Sequence, residues 1–566
     1  MIGHDACIVE GAAPAKDRGR QPGKKPPAKD STNLIAKSIF SKRRSVSRRY
    51  LGGVFAVGML AGASLMLLPN EFRSNVGRIV VSVLNGMSFK KQASVSDLEA
   101  YIRMNNIDAG LLPKVGLPSG PLRVSPINPR YFIDNSGKTV YLAGSHTWLN
   151  LQDGDESNLP AKFDYETWLN LLQSQGHNFF RLWTWEQAKW TVEASTPYYF
   201  SPQPYLRISD SKDAALDGRP KFDLSKFNEE YFERLRERVA AAGRRGIYVS
   251  VMLFNGWSIA YPKGQYKENN PWNGHPFNRR NNINGIDGDL NADGSGDELH
   301  EGNDSRIIAL QEAYLHKVID TVNDFDNVLY EISNESHSTS AHWQYHMIDY
   351  IHKFERSKPN QHPVGMTGLW PHGDNAALYA SNADWISPNG SLHDRPTSDG
   401  KKVIVSDTDH LCGICGDRKW VWMSFMRGEN LLFMDRYDGS FPIGMGRYNM
   451  LNANDIEVRK NIGYTRHYAE RLNMATMTPR SELATSGYVL ASSSTGQTKY
   501  LVYLPEGGAV TVDMRSAVGV FDVEWFNPMT GLSMSGGSTS GGVARTFIAP
   551  FGGDATLYIS NKYESR

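Results

Sequence analysis

The stretch Asn327-Val-Leu-Tyr-Glu-Ile-Ser-Asn334-Glu335 is an apolar run that ends in an amide and a carboxylate. Its length suits a buried strand and is too short for a helix. Asn334 and Glu335 then stand where the strand leaves the core. On either side the pattern alternates. Strands are expected at Thr139–Ala143, His177–Leu182, Ile247–Leu253, Val328–Ile332, Pro363–Thr367, Trp385–Ser387, Val403–Val405 and Leu431–Met434. Helices are expected at Tyr165–Gln175, Phe227–Ala242, Arg306–Val322, His342–Phe354 and Ile456–Leu472. Eight strands alternating with helical stretches predict an α/β fold, a (β/α)8 TIM barrel over residues 119–477. That span exceeds the roughly 250 residues usual for such a barrel. The excess falls in 186–222 and 257–303, loops after the second and third strands, which would wall a cleft at the strand mouths. From Thr478 the period changes to two. Lys499–Leu504, Val510–Met514, Phe521–Trp525, Ala544–Ile548 and Ala555–Ile559 alternate between turn signals, which predicts a small antiparallel β-sandwich over 478–566.

The N-terminal part reads differently. Residues 1–50 carry 12 Lys or Arg against 4 Asp or Glu, which leaves −7 on the other 516 residues of a chain whose net charge is +1. They are rich in Pro and Gly and are expected to be a disordered cytoplasmic tail. The folded part is mildly acidic, which argues against a nucleic-acid partner. Leu51 to Pro69 is an uncharged, apolar run of nineteen residues, long enough to cross a bilayer. Arg43, Arg44, Arg48 and Arg49 precede it, so an N-terminal transmembrane helix would leave everything after it outside the cytoplasm, periplasmic or extracellular. A cleaved signal peptide, with a twin-arginine look at Ser47-Arg48-Arg49, is the rival reading. Residues 70–118 read as a stalk. Cys7, Cys412 and Cys415 are the three cysteines, too few for a disulfide scaffold, and the last two suit a small local bridge.

Two strand ends carry carboxylates. Glu335 follows the fourth strand, and Lys401-Lys-Val-Ile-Val-Ser-Asp407-Thr-Asp409-His410 closes the seventh. Cleavage of a glycosidic bond needs such a pair, one group to protonate the leaving oxygen and one to attack the sugar or activate water. The plainer readings are that Glu335 caps a helix near Ser336 and that Asp407 is a structural partner of Arg181. His146 and His410 also stand at strand mouths. Trp183, Trp185 and Trp257 are candidates for stacking on sugar rings, with at least one expected in the core, and Glu186 is a further candidate carboxylate. Asp289-Leu-Asn291-Ala-Asp293-Gly294-Ser-Gly-Asp297 begins like a calcium loop, but its twelfth position is His300 where Glu is required, with Glu301 next. Calcium there would be structural; no catalytic metal and no redox cofactor is expected.

Gly176-His-Asn178-Phe-Phe-Arg181-Leu182 and Tyr330-Glu-Ile-Ser-Asn334-Glu335 resemble the cellulase-like clan A of (β/α)8 glycoside hydrolases. Residues 121–475 look like a branch of that clan, on the segments Gly144-Ser-His146-Thr-Trp148, Arg181-Leu-Trp183-Thr-Trp185-Glu186 and Asp407-Thr-Asp409-His410. Tyr500-Leu-Val-Tyr-Leu-Pro505 and Trp525-Phe-Asn-Pro-Met-Thr-Gly531 resemble the "putative collagen-binding" domain that follows such barrels. The resemblance implies a glycosidase with a carbohydrate substrate. It makes Glu335 the general acid/base, Asn334 the ligand of the hydroxyl beside the anomeric carbon, and Arg181 the holder of the second carboxylate. The clan's residue at that second position is Glu; this chain offers Asp407, with Asp409 two residues on, so the outcome at the anomeric carbon stays open. A non-catalytic glycan-binding or adhesion protein on the same scaffold is the alternative. Proteolysis of collagen lacks its zinc motif, as no His-Glu-x-x-His occurs.

Overall fold

The computed structural model describes residues 116–190, 197–208, 213–259, 270–371, 373–394, 398–437, 452–492 and 498–561. The expected tail and anchor, and nearly all of the stalk, lie outside these. Among the described residues no helix is long and apolar enough to cross a membrane.

Eight parallel strands close into a barrel: β1 (Ala143–His146), β2 (Phe179–Leu182), β3 (Tyr248–Asn255), β4 (Val328–Asn334), β5 (Val364–Thr367), β6 (Trp385–Ser387), β7 (Val403–Asp407) and β8 (Asn430–Met434). Helices α1 (Tyr165–Ser174), α2 (Glu229–Gly243), α3 (Ser305–Val322), α4 (Ala341–Glu355) and α5 (Asn375–Ala380) follow the first five strands in turn. Two helices, α6 (Thr408–Cys412) and α7 (Arg418–Met426), separate β7 from β8, and α8 (Ala453–Arg471) ends the barrel. This is the expected TIM barrel. One strand differs from expectation. Thr139–Val140 belongs to a small antiparallel sheet with Arg123–Val124 and Phe132–Ile133, and β1 begins only at Ala143. The stretch Ala-Gly-Ser-His lacks the β-branched signature of a strand. Its Gly144 is needed because a Cβ there would lie 1.8 Å from the Phe179 carbonyl oxygen on β2.

Side chains alternate between the two sides of each strand. Outward residues Phe180, Leu182, Val249, Val251, Tyr330 and Ile332 join one apolar cluster with Trp168, Leu169 and Leu172 of α1 and Leu315, Val318 and Ile319 of α3. Each such burial is worth about 1.5–3 kcal/mol. Inward residues Phe179, Leu329, Trp385, Val403, Val405 and Leu432 form a second cluster, with Phe132 and Val140 of the small N-terminal sheet and Leu122 just before it.

The chain then forms a second layer structure. A six-stranded antiparallel sheet runs in the order β9 (Met477–Pro479), β10 (Val489–Ser492), β11 (Lys499–Leu504), β16 (Ala555–Asn561), β13 (Val520–Asn527), β14 (Leu532–Ser540), and β12 (Ala509–Asp513) pairs with β15 (Ala544–Ile548). The two sheets enclose Val502, Val510, Val512, Phe521, Val523 and Leu557, as the expected sandwich should.

Candidate active site

The charged residues occupy the next inward position above the apolar floor. Arg181 follows Phe179 by two, Glu331 follows Leu329 by two, and Asp407 follows Val405 by two, so the strand period brings all three into the barrel. Arg181 is the centre of the layer. Its Nε and Nη2 donate to the two oxygens of Glu331 at 2.7 and 2.8 Å. Its Nη1 donates to Asp409 at 2.8 Å and lies 3.3 Å from Asp407 Oδ2. Nη2 also donates to Asn334 Oδ1 at 3.2 Å and to His410 Nε2 at 3.0 Å. The ends of β4 and β7 therefore meet on one guanidinium.

Three carboxylates share that single arginine, and burial separates their behaviour. Burial pushes Asp407 up, but Arg181 and His146 outweigh it and hold the carboxyl well below its usual range. Burial dominates at Asp409, helped by the charge of Asp407, and raises it against Arg181. Burial likewise raises Glu331. Burial and Arg181 push His410 down to about 3, so its ring is neutral at ordinary pH. Arginine can only donate, so Nε2 of His410 accepts from it and Nδ1 keeps the proton, donating to Ser387 Oγ at 2.7 Å.

Asp407 also caps α6, taking the Asp409 N–H at 3.0 Å on Oδ1. His146 Nε2 lies 3.5 Å from that same oxygen, and its ring stacks on Trp183 at 5.5 Å and 7°. The Arg181 guanidinium stands 5.4 Å from the centre of the Trp183 ring. His146 and Trp183 are buried beside the charges.

Glu335 has φ of 43°, one of two positive values among the described residues other than glycine. Such a conformation costs about 1–2 kcal/mol. Glu335 caps no helix: the turn Ser338–Ser340 is capped by His337, and α4 begins after Ser340. Trp257 Nε1 donates to Glu335 Oε2. The Trp257 ring lies parallel to Trp370, with centroids 5.8 Å apart and 10° between planes, and the Trp370 N–H donates to the Ser336 carbonyl at 3.0 Å. Trp370 is 36% exposed, so an aromatic surface adjoins the carboxylate. Gly256 lets the loop after β3 approach, since a Cβ there would lie 2.4 Å from the Glu335 carbonyl oxygen.

Not every expected residue faces this mouth. Trp185 is core: it stacks on Phe200 at 5.0 Å and donates to the Trp148 carbonyl, leaving no face for a sugar. Glu186 fastens the wall, taking the Asn255 N–H at 2.7 Å and lying 3.3 Å from His275 Nε2 and 3.9 Å from His300 Nε2. Glu331, Ser387 and Trp370 were not anticipated. Glu331 was legible as the one charge inside an apolar strand, four residues before Glu335. Trp370 sits in a loop and left no periodic signal.

Donor atoms of Asp407, Asp409 and His410 lie within 4.8 Å of one another, a spacing that also suits a metal ion. Arg181 contacts all three and brings its guanidinium charge to the cluster. In the loop 289–297, Asp289 accepts the N–H groups of Asp293 and Gly294 at 3.0 and 2.9 Å, and Asp293 accepts that of Ser295 at 2.8 Å. His300 is instead stacked on Trp343 at 4.2 Å and bonded to Ser336 Oγ at 2.9 Å. Cys412 and Cys415 form a disulfide that closes the turn after α6.

The fold is shared with solved glycoside hydrolases. One structure titled "Glycoside hydrolase" superposes with a TM-score of 0.51 at 12% identity, over 80% of this chain and all of that one. A family 5 glycoside hydrolase from Bacteroides vulgatus gives 0.53 at 13% identity, over 80% of this chain and 96% of the other. Residues 186–369 match the family model described as "Domain of unknown function (DUF6298)". Residues 481–557 match "Putative collagen-binding domain of a collagenase". No curated protein sequence matches the chain.

Proposed function

We propose that the barrel is a glycoside hydrolase that cleaves O-glycosidic bonds in a polysaccharide or oligosaccharide. The observation that carries this reading is the meeting of two strand mouths on Arg181: Asn334 of β4, beside Glu335, and the Asp407–His410 segment of β7. A pure binding site has no need of carboxylates from opposed strands held around one buried arginine. Glu335 donates the proton to the leaving oxygen. Asp407, kept ionised by Arg181 and His146, is the second carboxylate and activates water at the anomeric carbon. Asn334 and Asp409 hold sugar hydroxyls, and Trp257 with Trp370 offers a flat apolar surface to a neighbouring ring. Residues 51–69 would hold the enzyme at a membrane with the barrel outside the cytoplasm.

A panel of polysaccharides, bacterial envelope glycans included, tests the activity. On whichever glycan is cleaved, Glu335→Gln should lower kcat by about 10²–10⁴ while leaving circular dichroism and glycan binding unchanged. Full activity in that variant would remove Glu335 from the mechanism. Glycan binding without turnover in the unsubstituted protein would instead favour an adhesion role.

A further inference from the structure

Helix α7 has the sequence Arg-Lys-Trp-Val-Trp-Met-Ser-Phe-Met, and every residue from Trp420 to Met426 is buried. A helix buried all round is packed between two cores. One is the sandwich. Trp422 stacks on Tyr503 of β11 at 5.9 Å and 17° and meets Phe526 of β13 at 5.7 Å. Four residues earlier on the same helix face, Arg418 donates to Asp554 through Nε at 3.0 Å and Nη2 at 2.8 Å. Tyr503 donates to Asp554 as well, at 2.9 Å. Asp554 immediately precedes β16 and is buried.

The other core is the barrel, and the contact there is specific. Trp420 Nε1 donates to Ser406 Oγ at 3.0 Å, and Ser424, four residues on, places its Oγ 3.2 Å from the same atom. Ser406 directly precedes Asp407. The strand period turns Ser406 out to the helix and Asp407 in to Arg181. The helix therefore grips β7 at the residue beside the carboxylate.

We infer that the sandwich is part of the apparatus that positions the β7 carboxylates, and that Trp420 is the positioning residue that carries its hold to Ser406 and Asp407. The sandwich fixes Arg418 and Trp422; these fix α7; Trp420 then fixes the end of β7. The kinetic consequence rests on the hydrolase reading, but the mechanical link does not.

Hydrogen exchange read by mass spectrometry on the full chain tests the link without any substrate. Trp420→Phe keeps an aromatic ring, a smaller one, and loses the donor, and Ser406→Ala loses the acceptor without that loss of volume. Each should speed exchange in peptides covering 403–412 by about tenfold, with β4 peptides over 328–335 unchanged, and the double variant should add nothing further. Tyr503→Phe and Asp554→Asn, both in the sandwich, should speed the same 403–412 peptides; Tyr503→Phe is the milder should Asp554→Asn not fold. If 403–412 is unmoved by Tyr503→Phe, or β4 responds equally, the inference is wrong. On a cleaved glycan, Trp420→Phe should lower kcat about three- to tenfold with KM within about twofold. A fall in thermal stability with kcat unchanged would reduce Trp420 to packing. Absence of any glycan turnover would count against the hydrolase reading and leave the exchange result to decide this one.

Discussion

Arg181→Met removes the guanidinium shared by three buried carboxylates. The guanidinium makes two bonds to Glu331 and one to Asp409, and stands 3.3 Å from Asp407; none of these partners is more than 9% exposed. Breaking a buried pair by deleting one partner costs about 3–5 kcal/mol. The three partners share one arginine and can take up protons, so the costs do not sum, and about 3–5 kcal/mol in total is expected at pH 7. The sign with pH follows from Asp407. In the unsubstituted protein its carboxyl is held low, so its stabilisation is present above the unfolded value of about 4 and is lost as pH falls through the folded one. Without Arg181, His146 and His410 are left to oppose burial and the carboxyl rises. The variant then loses stability as pH rises through that raised value. Glu331 and Asp409, already raised by burial, move further the same way. The deficit should therefore widen from acid to neutral pH. Urea unfolding of both proteins, followed by tryptophan fluorescence at pH 4.5 and 7, reads it. A deficit equal at the two pH values, or below about 1 kcal/mol at pH 7, would refute the shared-arginine argument.

Trp370→Ala should raise KM about two- to tenfold, since stacking on one aromatic face is worth about 0.5–1.5 kcal/mol, while the melting temperature stays within about a degree because the ring is partly exposed. An unchanged KM on long and short oligosaccharides alike would remove the aromatic surface from the binding path. Gly256→Ala should cost about 1–3 kcal/mol by thermal unfolding, because its Cβ would press on the Glu335 carbonyl, and kcat should fall with it. Unaltered stability would mean that the loop after β3 is free to retreat.

The barrel was legible because each strand is a short apolar run followed by a helical period. β1 was misplaced because its residues, Ala143 to His146, are chosen for close approach to β2 rather than for strand propensity, and sequence propensity is all a periodicity reading can see. α7 was passed over because a helix buried on every side has no polar face to mark its period. β14 escaped because its Ser- and Gly-rich, exposed sequence carries no apolar alternation. In the site, Glu335, Arg181, Asp407 and His410 were visible as polar residues at strand ends. Trp370 was not, because its place beside Glu335 depends on a loop bond to Ser336 and on a partner ring from another loop. The two tryptophans of the β2 end look alike in sequence, and only packing separates Trp183, beside the charges, from Trp185, in the wall.

The aspartate on β7 has a stereochemical consequence. Retaining enzymes place their carboxyls about 5–5.5 Å apart, close enough for direct attack on the sugar; inverting enzymes leave about 6.5–9.5 Å for a water. Asp is one methylene shorter than Glu, a retreat of about 1.3–1.5 Å at the carboxylate for an unmoved backbone. Here the backbone has little freedom to compensate. Asp407 is tied as the cap of α6, its neighbour Ser406 is bonded to Trp420, and Asp407 pairs in register with Leu432 on β8. On the proposed reading, a spacing fit for attack by Glu would open to about 6.3–7 Å, room for one water whose proton Asp407, held ionised, would accept. The expected product is the inverted anomer, seen by proton NMR within the first turnovers, before mutarotation. Asp407→Glu should fill the water's place and lower kcat by at least about tenfold. Retained configuration in the first-formed product, or a glycosyl–enzyme adduct on Asp407 or Asp409 by mass spectrometry, would show that the shorter side chain attacks directly and that the backbone of β7 yields after all.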